Sequence, residues 1–194
     1  MQTIILNNLT FIQTPNEFNA LMKSVYKSLE LLNDEYPDFE FWYINKVISE
    51  TQLGKRSIIV KKYNKEIAAI SILKNDLSEK KISTFRVIEK YQYLGIGSIL
   101  MEESLHCLKT IHPKITVSEL RIEQFNKLLR KFDFQLNSLN KNYYRNDVTE
   151  FSFNGPIEKE SPIIPCSLQQ ISNRSIVSIS DIKCKERHFC KRDF

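Results

Sequence analysis

At 194 residues, with 42% hydrophobic and 26% charged side chains and a formal net charge of +5, the chain has the size and composition of one globular domain with a sizeable core. The charge is mild and gathered at the C-terminal end, where Lys183, Lys185, Arg187, Lys191 and Arg192 face only Glu186 and Asp193, which speaks against a dedicated nucleic-acid surface on the domain body. No apolar run has the length of a membrane span, and Met1-Gln-Thr-Ile-Ile-Leu lacks the basic start and long apolar centre of a secretory signal, so a soluble, cytoplasmic protein with reduced thiols and no membrane partner is expected.

Residues 3–13 alternate loosely between apolar and polar and predict a first strand. Thr14-Pro15-Asn16-Glu17 then has the chemistry of a helix start, and Phe18, Leu21, Met22, Val25, Leu29 and Leu32 recur at three- and four-residue steps, giving a helix one buried face. After a turn at Asn33 to Pro37, the stretch 39–52 predicts a second helix closed by Gly54. Its aromatic group Phe39, Phe41, Trp42 and Tyr43 suits core packing first and a pocket wall second. Residues 57–63 and 66–73, joined at Asn64-Lys65, predict an antiparallel hairpin, and Ile82 to Ile88 a central strand.

That strand runs into Gln92-Tyr93-Leu94-Gly95-Ile96-Gly97-Ser98, where two of the chain's four glycines lie. Glycines at the mouth of a helix let backbone N–H groups face an anion. A dinucleotide-binding loop needs a third small residue where Leu100 stands, and a P-loop needs Gly-Lys-Ser/Thr, which is absent. The next helix presents Leu100, Met101, Ser104, Leu105 and Leu108 to a sheet and ends before Pro113; Lys114 to Ser118 is a short strand, so strand, helix and strand form a parallel crossover. A further helix over 123–132 leads into Asp133-Phe134, and a strand over 148–153 completes the sheet. From Pro156 onward proline and polar residues predict a linker and a weakly structured basic tail, which makes 1–155 the domain and 156–194 the appendage.

The segment Phe85-x-Val87, Tyr91 and then Gln92-x-x-Gly95-x-Gly97 resembles the Gln/Arg-x-x-Gly-x-Gly/Ala signature of the GCN5-related N-acetyltransferases, the GNAT superfamily. The resemblance spans roughly residues 1–155 and is strongest over 82–134. It implies an α/β fold with a mixed, mostly antiparallel sheet flanked by helices, and an acetyl-CoA-dependent N-acetyltransferase working by direct attack of an amine on the thioester. It implies that Phe85 and Val87 contact the cofactor along the strand and that Gln92, Tyr93, Leu94, Gly95, Ile96, Gly97 and Ser98 wrap its pyrophosphate. The acceptor is left open among a small amine, a protein amine and an aminoacyl-tRNA, and a homodimer falls within its range.

Acetyl transfer to an amine needs a base and an acid besides a polarised carbonyl. Glu79 is the first base candidate, with Glu50 and Glu119 as alternatives. Many members of the family place an acidic Tyr five residues before the Phe that closes the last helix; here that position is Leu129, and Asp133 replaces the Gly before the Phe. The acid role then passes to Tyr143, Tyr144 or solvent, and a non-catalytic acyl-CoA-binding protein that engages a partner through its tail is the reading from another class. Cys107 has no His partner and reads as a structural thiol, while Cys166, Cys184, His188 and Cys190 fit no common zinc spacing, so no metal is expected.

Overall fold

A computed structural model describes residues 1–157. The tail after residue 157, with Cys166, Cys184, His188 and Cys190, lies outside the described residues.

Seven strands form one sheet in the order β1-β2-β3-β4-β5-β7-β6. They are β1 Gln2–Leu6, β2 Arg56–Tyr63, β3 Glu66–Asn75, β4 Lys80–Val87, β5 Lys114–Ser118, β6 Leu136–Lys141 and β7 Thr149–Phe153. Every neighbouring pair is antiparallel except β4 and β5, which run parallel. The fold is therefore the mixed, mostly antiparallel α/β sheet expected from the sequence. The β2–β3 hairpin turns at Asn64 and Lys65, both at positive φ (48° and 70°), the backbone that matches the twist of the strands it joins.

Helices α1 Asn8–Gln13, α2 Pro15–Leu29, α3 Leu32–Glu35, α4 Phe39–Trp42 and α5 Ser49–Gln52 cover one face of the sheet, with π-helical turns over Tyr43–Ile48 making 39–52 one continuous rod. Their core joins Phe18, Met22, Val25 and Leu29 to Ile58, Val60, Ile70 and Ile72 of the sheet. Helices α6 Ile96–Leu108 and α7 Ile122–Lys131 cover the other face, where Leu100, Met101 and Leu108 meet Leu73, Ile82, Ile115 and Val117. Among the described residues no helix is long and apolar enough to cross a membrane.

One expectation needs correction. The first strand stops at Leu6, because Asn7 caps α1: the Thr10 N–H donates to Asn7 Oδ1 (3.1 Å) and the Asn7 N–H to Thr10 Oγ1 (2.7 Å), a reciprocal pair that turns the chain into a helix where alternation alone suggests extension. Residues 136–141, which carry no strand signal beyond loose alternation, form edge strand β6 because β7 offers them a ladder. Asp133, standing where the family resemblance expects Gly, adopts the left-handed backbone at φ 55° and accepts from Gln135 Nε2 at 2.7 Å.

Candidate active site

The site starts from a parting of strands. β4 and β5 pair only through Lys81 with Lys114 and Ile82 with Ile115, although β4 continues to Val87 and β5 to Ser118. Directly above the last pair, β4 carries a bulge: Ile72 of β3 stands opposite Thr84 and Leu73 opposite Ile82, so Ser83 is the extra residue. A bulge bends its strand and raises its local twist, which turns the upper half of β4 away from β5. The open edges of Ser83–Val87 and Thr116–Ser118 then line a cavity of about 390 Å³.

The bulge is held from below. The buried Arg56 guanidinium donates from Nη1 to Ser83 Oγ (2.7 Å) and from Nε to Glu50 Oε2 (2.5 Å), and lies 5.3 Å from the Trp42 ring centroid, where Trp42 forms part of the cavity wall.

At its upper end the cavity reaches Val87 and Gln92, and Gln92 Nε2 donates to the Val87 carbonyl at 3.2 Å. Tyr91 locks the start of the turn by donating its hydroxyl to Glu66 Oε2 at 2.6 Å. The turn itself is exposed at Tyr93, Leu94 and Gly95, and Gly95, at φ 77°, is the N-cap of α6 without any side-chain cap. At the start of this 13-residue helix the Ser98 and Ile99 N–H groups both donate to the Gly95 carbonyl (3.1 and 3.3 Å), and those of Ile96 and Gly97 precede the first intrahelical acceptor, at the positive end of the helix dipole. A Cβ on Gly95 would meet nothing within 4 Å, while one on Gly97 would sit 3.6 Å from Val87 Cγ2. Ile96 is buried in the core and Ser98 half-buried in the first turn of α6. The structure thus brings Phe85, Val87 and Gln92 to the cavity and gathers Tyr93, Leu94, Gly95, Ile96, Gly97 and Ser98 into the turn above it.

The catalytic candidates separate. Glu79 lies beside Lys74 (3.0 Å) and Lys114 (3.5 Å) and is not part of the cavity wall. Burial pushes its carboxyl up, but Lys74, Lys81 and Lys114 outweigh that and hold it below the ordinary range, the reverse of what a base near neutrality needs. Glu50 is spent on Arg56. Tyr143 and Tyr144 both line the cavity, their rings 4.6 Å apart edge to face, with Tyr144 packed 5.5 Å from Tyr36. Leu129 is 3% exposed and packs with the α6–α7 core, and α7 presents Gln124 and Phe125 to the cavity instead.

The residue that sequence reasoning missed is Glu150. It stands on β7 opposite Ser118 of β5, is 2% exposed, lines the cavity, and its Oε2 has no hydrogen-bond partner. Burial first, then the carboxylates of Glu119 and Glu35, push it up to about 7, against the opposing pull of Lys81. The same burial, with Glu150 and Glu35 nearby, raises the Tyr36 hydroxyl well above its ordinary range. One signal was available: an acidic residue between Thr149 and Phe151 in a strand whose alternate positions are aromatic. Of the aromatic group at the second helix, Phe39 and Trp42 reach the cavity, Tyr43 is fully buried with its hydroxyl on the Met22 carbonyl (2.9 Å), and Phe41 is exposed.

No protein-family model matches the sequence, and comparison with curated proteins finds no match. Among solved structures the chain is similar to the ribosomal-protein-S18-alanine N-acetyltransferase from Escherichia coli, at 17% identity over 59% of this chain and 83% of that one, with a TM-score of 0.47. It is similar to a GNAT family acetyltransferase from Elizabethkingia anophelis with acetyl-CoA bound, at 20% identity over 56% of this chain and 80% of that one, TM-score 0.45. Nourseothricin acetyltransferase aligns at 14% identity over 51% of this chain, TM-score 0.44, and the chain spans 64% of its length, less than two thirds.

Proposed function

We propose that the protein is an acetyl-CoA-dependent N-acetyltransferase with Glu150 as its general base. The observation that carries this reading is the parting of β4 from β5 after Ile82 and Ile115, which opens a cavity with a bare strand edge on one side, a buried carboxylate whose Oε2 has no hydrogen-bond partner on the other, and the glycine turn of α6 at its top.

The residues fit the donor. The N–H groups at the start of α6 suit a pyrophosphate, and the free edge of β4 from Ser83 to Val87 suits the amides of a pantetheine arm, with Phe85 and Phe125, 5.9 Å apart, as its apolar floor. When bound, acetyl-CoA supplies the thioester. The chain does the rest: Glu150 takes the proton that the amine sheds as its nitrogen bonds to the acyl carbon, and Tyr143 or Tyr144 returns a proton to the sulfur as the carbon–sulfur bond breaks. A carboxyl poised at about 7 is half ionised at neutral pH, which balances availability against basicity.

The test is amine-dependent release of coenzyme A thiol over a panel of amines, followed as a function of pH in the wild type and in Glu150→Gln. The reading requires turnover whose kcat/KM rises through about pH 7 and falls roughly 100-fold or more in the variant. Release without any added amine dependence, or a variant as active as wild type, would overturn it.

A further inference from the structure

Strand register divides the cavity into two sides. Phe85 and Val87 of β4 stand opposite Ser71 and Ala69 and pack towards α6 and α7. Arg86 stands opposite Ile70, whose side chain lies in the core under α2 and α4, so Arg86 projects to the helix α3–α4 side of the sheet. Glu150 alternates with Phe151, which packs towards α6 and α7, and so projects to that same α3–α4 side.

The two residues also share a level. Ser118, opposite Glu150, is three residues beyond the last β4–β5 pair; Arg86 is four beyond it, one of which is the bulge residue Ser83. Arg86 and Glu150 therefore face each other across the parted strands. In a flat sheet the two strands that carry them would lie about 10 Å apart.

Their charges are open. Arg121 of the cavity is closed by Glu35, to which it donates from both Nε and Nη2. Arg86 is half-buried in the cavity wall and makes no hydrogen bond or ion pair among the described residues, and Glu150 Oε2 has none either. A guanidinium left without a carboxylate in a partly dry cavity wants a planar anion, which it binds through two parallel N–H groups.

We propose that the acceptor is zwitterionic, an amine that also carries a carboxylate, with Arg86 gripping the carboxylate while the amine lies at Glu150. The aromatic wall of Tyr36, Phe39 and Trp42 beside them admits an apolar or aromatic side chain branching off next to the two charges. This rests on the acetyltransferase reading. The shared chemistry is an anion on Arg86, whose other source would be a phosphate of the donor; the register, which turns Arg86 away from Phe85 and Val87, favours the acceptor.

Matched pairs test this: L-tyrosine against tyramine and L-phenylalanine against phenethylamine as acceptors, with N-acetyl-L-tyrosine and N-acetyltyramine as calorimetric ligands that need no turnover, each on wild type and Arg86→Gln. The proposal predicts that the carboxylate-bearing member of each pair is preferred by about tenfold or more, in kcat/KM and in binding, and that the preference collapses in the variant while acetyl-CoA affinity is retained. Equal or better use of the decarboxylated amines overturns it, as does an Arg86→Gln variant that loses acetyl-CoA affinity instead. If the wild type releases no coenzyme A with these acceptors or over the wider amine panel, the acetyltransferase reading fails by itself, and the N-acetyl pair still decides whether Arg86 selects a carboxylate.

Discussion

The Nη1 of Arg56 donates to Ser83 Oγ at 2.7 Å, tying the one bulged residue of β4 to a guanidinium that is itself held by Glu50 and covered by Trp42. The geometry of the cavity thus depends on a cation buried beneath it. Ser83→Ala should leave the fold intact, cost on the order of 1–2 kcal/mol in chemical denaturation, and weaken acetyl-CoA binding. Arg56→Met leaves Glu50 without its partner, and Arg56→Lys keeps a charge but loses the two-way fork, so Arg56→Lys should fold yet bind acetyl-CoA less well than Ser83→Ala does.

Glu150 makes stability depend on pH in a stated direction. Its carboxyl titrates near 7 in the fold against an ordinary 4.5, so the folded state holds the proton more tightly. That contribution is fully present below about 4.5 and is lost as pH rises to about 7. Glu35 and Glu119 reinforce the shift and Lys81 opposes it. Glu150→Gln should therefore match wild type in acid and exceed it by on the order of 2 kcal/mol above pH 8, read from denaturant midpoints at both pH values.

The two glycines of the turn do different work. Gly95 needs its left-handed backbone at φ 77°, and open space surrounds its Cβ direction, so Gly95→Ala should cost about 1 kcal/mol from backbone strain alone. Gly97 has an ordinary φ, and a Cβ there makes an ordinary contact with Val87 at 3.6 Å, so Gly97→Ala should leave the melting temperature unchanged.

Tyr143 and Tyr144 flank the cavity together, and removing both hydroxyls as Tyr143→Phe/Tyr144→Phe should lower kcat by about 10- to 100-fold with acetyl-CoA affinity kept, because the rings and their edge-to-face packing remain. Tyr143→Phe and Tyr144→Phe made singly test whether one hydroxyl alone carries that loss.

The glycine turn, the hairpin and the helix α6 were legible because local chemistry dictates them: rare glycines at a strand–helix junction, a two-residue turn, an apolar face at helical spacing. The capping pair of Asn7 and Thr10 was legible in principle, but loose alternation masked it. The base was not. Glu79 looked apt because it precedes the central strand, yet its three lysine neighbours come from β3, β4 and β5 and are united only by the sheet. Glu150 gains its character from burial between β5 and β6 and from Glu35 and Glu119, contacts that cross the whole chain. Leu129, which stands where the resemblance places an acid, is a core residue and is not part of the cavity wall.

The most direct measurement is calorimetric titration of the protein with acetyl-CoA, with NADH and ATP as controls, on wild type and on Gly97→Glu, whose carboxylate would enter the glycine turn. Selective binding of acetyl-CoA to the wild type is expected, with its loss in a variant that remains folded. A well-folded wild type that takes up no acetyl-CoA, or a Gly97→Glu variant that binds it as tightly, would rule out the glycine turn as an acetyl-CoA site.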